Sequence, residues 1–110
     1  MLVNPKSIKA AYDLLRVTAF AGVKVRPSSK VQFVARKMKK YHGLYHWPEH
    51  KMEIDTQIQS VTGLLQTVAH EMTHAVLDSY GNNDHPFHDD NFQKVTAIIC
   101  HEMGWPKGSV

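Results

Sequence analysis

His70 and His74 stand four residues apart in the segment VAHEMTHAV, Val68 to Val76. Two imidazoles at that spacing reach the same side of the chain when the backbone between them is one turn of α-helix. The flanking residues agree with a helix. Val61, Leu64, Leu65, Val68, Met72, Ala75 and Ser79 fall on one face at helical spacing. On that wheel His70 lies about 180° and His74 about 220° from Val61, off the apolar stripe, with Glu71 offset from both at about 280°. Ser60 or Thr62 is placed to cap the start, and Gly81 with the polar run NNDHP ends the helix.

The tripeptide HEM recurs at His101-Glu102-Met103, where the residue four after the histidine is Trp105. Gly104 and Pro106 stop the helix there, so His101 has no partner imidazole. It reads as a solvent-facing residue near the negative end of the last helix.

H-E-x-x-H on a helix lets two ring nitrogens converge on one ion, at about 2.0–2.1 Å each for zinc. Zinc lowers the pKa of the water it holds, and Glu71 can take that proton without being a ligand itself. A catalytic zinc keeps a third protein ligand and one open position. The segment GNNDHPFHDDNF offers His85 and His88 for that third place. His88 is favoured, because it stands at the entrance of the last helix, where Phe92 and Val95 pin the backbone. His85, in the loop beside Pro86, is left to line the cleft or face solvent.

Asp78, one turn after His74, is the first candidate to accept a ligand's second ring N–H. Asp89 and Asp90 follow, with capping of the last helix as the simpler role. Tyr80, His85, Tyr45 and His46 are candidate donors to a developing oxyanion. With Cys100 as its single cysteine, the chain has no internal disulfide framework and no Cys-rich zinc ribbon within these 110 residues. Histidine and carboxylate must hold any metal. Cys100 itself reads as a small core filler.

The rest describes one domain over residues 1–110, cytoplasmic, with no apolar run near the roughly 20 residues of a membrane span and no secretory signal. Asn4-Pro5 starts a helix that buries Ile8, Ala11, Tyr12, Leu15 and Ala19 and stops by Gly22. Two β-like runs follow, VKVR (23–26) and VQFVA (31–35). A hairpin then runs out over Gly43–Trp47, turns at Pro48-Glu49 and returns over Lys51–Asp55, with Met52 and Ile54 on one face. An extended substrate peptide is expected along Lys51–Asp55. The last helix runs from Asp89 or Asp90 to Met103 and buries Phe92, Val95, Ile99 and Met103. Net charge is +3, and Arg36, Lys37, Lys39 and Lys40 precede the aromatic stretch YHGLYHW. That run suits weak nucleic-acid contact or, more simply, a solvated face.

Together these segments resemble the SprT-like zinc metallopeptidases, the domain type that includes the Spartan proteases. That family's pattern is H-E-x-x-H on a helix, a loop, then H-G-x-x-F or a close variant. HEMTHA at 70–75 matches the first part. His88-Asp89-Asp90-Asn91-Phe92 matches the second, with Asp89 in place of glycine. IDTQI (54–58) is similar to the strand before the family's active-site helix. The resemblance implies one catalytic Zn2+ held by His70, His74 and His88, with Glu71 as general base. It further implies an endopeptidase acting on protein or peptide, in a minimal form without the family's zinc ribbon. The implied fold is α+β and zincin-like: an N-terminal helix, a small three-stranded sheet with a hairpin, the H-E-x-x-H helix and a C-terminal packing helix. The alternative is a non-catalytic, zinc-stabilised module of the same fold that binds protein or DNA.

Overall fold

A capping box starts the first helix, α1 (Pro5–Val17): the Asn4 side chain accepts the Ser7 N–H, and the Ser7 hydroxyl accepts the Asn4 N–H, both at 2.9 Å. The computed structural model describes residues 2–79 and 90–110. Ile8, Ala11, Tyr12 and Leu15 are buried as their spacing predicts. The helix ends at Val17, before Gly22. The Phe20 N–H turns back onto the Leu15 carbonyl at 2.9 Å, which drops Ala19 and Phe20 into the core outside the helix.

Val23–Arg26 does not form the strand expected of it. Its carbonyls are taken by α1 side chains: the Tyr12 hydroxyl donates to Arg26 O at 2.6 Å, and Arg16 Nε to Val25 O at 3.2 Å. The segment is strapped to the helix as coil, and no neighbouring strand is needed to satisfy it.

After a short 3-10 turn at Ser28–Lys30 come β1 (Gln32–Arg36), β2 (Gly43–His46) and β3 (Lys51–Asp55), in sheet order β1-β3-β2. The hairpin β2–β3 is antiparallel as expected, while β1 pairs with β3 in parallel. The register puts Phe33 and Tyr45 beside Met52, and Ala35 and Gly43 beside Ile54, all on the inner face. Met52 and Ile54 are fully buried there, and Tyr12 meets Phe33 edge-on at 5.4 Å, joining α1 to the sheet. Lys51, Glu53 and Asp55 point to the outer face. The central place of β3 corrects one expectation: both its edges are hydrogen-bonded, so no substrate peptide can pair along Lys51–Asp55. The open edges belong to β1 and β2, and β2 is the one beside the next helix.

That helix, α2 (Val61–Ser79), is capped by Ser60, whose hydroxyl oxygen accepts the Gly63 N–H at 2.9 Å. Its buried stripe is rotated from the one expected. Val61 is 62% exposed and Ser79 is exposed, while Leu64, Val68, Ala69, Met72, Thr73 and Val76 are buried. Glu71, His74 and Asp78 are buried as well, off the apolar stripe. The cause is contact on several sides, since α2 touches α1, β2, β3 and the last helix, α3 (Asp90–Met103).

On α3, Phe92, Thr96, Ile99 and Cys100 are buried, and Val95 and Met103 partly so. Gly104 closes it in the left-handed conformation (φ 71°), with Gly104 N–H on His101 O and Trp105 N–H on Cys100 O. His101 and Glu102 are exposed, as expected. A second turn follows, with Ser109 N–H on Pro106 O at 3.1 Å and Gly108 at φ 90°. It is a turn position that favours glycine, and it returns Ser109 and Val110 to the side of α2. Among the described residues no helix is long and apolar enough to cross a membrane.

Candidate metal centre

One turn of α2 sets the His70 and His74 rings 5.1 Å apart between centroids, with planes at 72°. Two imidazoles bound through ring nitrogens to one tetrahedral zinc stand roughly 5 Å apart in the same measure. The pair therefore fits two corners of a metal site. Phe92, in the first turn of α3, packs on both rings, at 4.9 Å from His70 and 4.6 Å from His74. Phe92 thus brings the first turn of α3 to the pair. His88 and His85 themselves, with Tyr80 and Asp89, lie outside the described residues. Among the described residues no group of three or more His, Cys, Asp or Glu side chains could hold a metal.

Glu71 is 4% exposed and sits between α2 and β2. The Tyr45 backbone N–H donates to its carboxylate. Burial pushes the carboxyl up to about 8, and the Tyr45 amide only partly opposes that. Gly43 makes the close approach feasible: a Cβ there would stand 3.1 Å from Glu71 Cγ, 3.1 Å from Thr67 Cγ2 and 3.2 Å from Glu71 Oε2. Gly43 belongs to no recognised motif. The one signal for it is a glycine inside a strand pattern, which marks a place where another group comes close.

The site opens into a cleft of about 460 Å³. Its floor is a single stripe of α2, formed by Gly63, Gln66, Thr67, His70 and Glu71. One wall is Tyr41 to Gly43 with Ile58, and the other is Ser109 with Val110.

Asp78, one turn beyond His74, is 5% exposed, and its charge acts on Tyr45 and His50. The Tyr45 hydroxyl lies 2.7 Å from His50 Nδ1, and burial pushes that phenol up to about 12. Its ring borders Val25, Ala75 and Val76, along the C-terminal half of α2. Engaged with His50, the hydroxyl is not aimed at a substrate carbonyl. His46 is on the opposite face of the sheet, with Nε2 3.4 Å from Glu53, which removes it as an oxyanion donor.

The basic run is split. Arg36 places Nε and Nη2 on Glu53 Oε2, at 3.1 and 2.9 Å, on the outer sheet face. Met38 is buried, with its N–H on Asp55. Lys39 and Lys40 border a second cleft of about 370 Å³, next to the first.

No match to a curated protein is found for this chain. The SprT-like family model matches residues 8–107, a span that takes in the sheet, α2 with its histidine pair, and α3. By that match over nearly its whole length, the chain belongs to the SprT-like family.

Proposed function

We propose that this chain is a zincin-like, zinc-dependent endopeptidase. The observation that carries the reading is Glu71: a buried carboxyl with no cation acting on it among the described residues, lining a cleft with His70, whose ring lies 5.1 Å from that of His74. Keeping such a group costs several kcal/mol, roughly, against an apolar side chain. A module that only bound zinc and a partner would need the histidines and not that carboxyl group, so its presence in the cleft supports chemistry.

His70 and His74, with His88 completing the set, would hold the zinc ion. When bound, zinc supplies the Lewis acidity that makes water a nucleophile at neutral pH and polarises a peptide carbonyl. The chain's own residues do the remainder. Glu71 takes the proton of the attacking water and returns it to the leaving amine, a role suited by its raised basicity. The Tyr45 amide ties that carboxylate to β2, and Phe92 holds the two imidazole planes. Gly43, at the edge of β2, lines the same cleft, and an extended peptide would meet the backbone there.

The test is zinc stoichiometry and cleavage of casein by wild type and Glu71→Gln. The expected result is one zinc per chain in both, with cleavage in the wild type alone. Equal cleavage by the variant, or zinc binding without any cleavage, removes the peptidase reading.

A further inference from the structure

The two clefts share a ridge made by Tyr41, His42 and Ile58. On one side lies the Glu71 cleft. Its lining includes three apolar side chains, Tyr41, Ile58 and Val110, while the face of Gly63 is already filled by Ser60 Oγ and Ile58 Cγ2. On the other side Lys39 and Lys40 are exposed, with Lys40 Nζ 5.5 Å from the centre of the Tyr41 ring. Asp55 also borders this second cleft, but its oxygens are already occupied by the Met38 and Gln57 amides. Those bonds keep Asp55 ionised but buried, so the two exposed lysines outweigh it and the balance at the surface of this cleft is positive.

We propose that the two clefts form one peptide site selective for an apolar residue with acidic neighbours. The apolar side chain sits against Tyr41, Ile58 and Val110, and the acidic residues cross the Tyr41–His42 ridge to meet Lys39 and Lys40. The proposal rests on reading the Glu71 cleft as a peptide site, and it adds the class of peptide. A nucleic-acid surface fits less well. Arg36 is paired with Glu53 on another face and Met38 is buried, which leaves Lys37, Lys39 and Lys40 exposed, a short and interrupted row for a phosphate backbone.

Binding is read apart from cleavage, by fluorescence anisotropy on zinc-loaded Glu71→Gln and on wild type held in chelator. The probe is a short labelled peptide with one leucine flanked on both sides by glutamates. It is expected to bind about fivefold tighter than its twin with lysines in place of the glutamates, a preference that shrinks as salt is added. Lys39→Glu combined with Lys40→Glu should erase or invert the preference, and glycine in place of leucine should weaken both peptides. Equal binding of the two peptides, or no binding of either, overturns the proposal. So does a thymidine oligonucleotide that binds more tightly than the acidic peptide and displaces it. Cleavage by zinc-loaded wild type is scored separately. Acidic preference without cleavage keeps this site and removes the peptidase reading, while cleavage without preference does the reverse.

Discussion

Glu53 and Glu71 are almost equally hidden, at 7% and 4% exposure, yet their surroundings differ. Glu53, on the outer face of β3, is met by Arg36, His46 and Lys51, within 2.9, 3.4 and 3.6 Å. Burial alone would raise its carboxyl, but the bonds from Arg36 and His46 outweigh that and hold it below the ordinary value. Glu71 lies between α2 and β2, with a single backbone N–H and no cation acting on it among the described residues. Burial wins, and the carboxyl rises. Low exposure therefore does not separate a carboxylate compensated by cations from one that is not. The partners do.

Substitutions can break or sharpen that contrast. Glu71→Gln has the largest expected effect, a loss of cleavage of about a thousandfold. Its melting temperature in metal-free protein should be unchanged or higher, because glutamine removes a buried group whose ionised form the fold disfavours; a clear drop in a calorimetric scan would place Glu71 with Glu53 as structural. Gly43→Val comes next. The added carbons press on Glu71 and Thr67, so stability should fall by about 1–3 kcal/mol in denaturant titration, with kcat/KM falling alongside. An unaffected variant would mean that β2 can lift off Glu71 freely.

Glu53→Gln should cost about 1 kcal/mol, discounted because Arg36 is half exposed, and leave cleavage intact. The two glutamates also carry opposite pH signatures. Glu53, lowered in the fold, adds stability above its ordinary 4.5 that is lost as pH falls through its folded value, so Glu53→Gln should flatten the acid limb. Glu71 behaves the other way in metal-free protein. Held at about 8, it withdraws stability as pH rises from 4.5 through 8, and the difference between wild type and Glu71→Gln in chelator isolates that slope. His101→Ala has the smallest expected effect, with zinc stoichiometry unchanged and stability within about 0.5 kcal/mol.

Local chemistry was legible in the residues. Asn4-Pro5 and Ser60 announce helix starts, Gly104 announces a stop, and the four-residue step from His70 to His74 puts two imidazoles one turn apart. Long-range arrangement was not. Parallel pairing of β1 with β3 leaves no mark on either strand, so the central place of Lys51–Asp55 could not be read. Val23–Arg26 has a strand's pattern but is captured by Tyr12 and Arg16, which are distant in sequence. The rotated stripe on α2 has the same origin. A wheel sorts side chains by polarity, and Glu71, His74 and Asp78 are polar yet covered, because β2 and α3 close over them.

The many contacts of α2 have a consequence for how the molecule fails. The helix that carries His70, Glu71 and His74 is also the rod against which α1, α3 and the sheet are assembled. A protein with its site on a peripheral loop can lose function by local fraying while the body stays folded. Here the turn that carries His70, Glu71 and His74 is packed into the architecture itself. Heat inactivation should therefore track global unfolding in a single step, with loss of metal uptake and loss of helical signal sharing one midpoint.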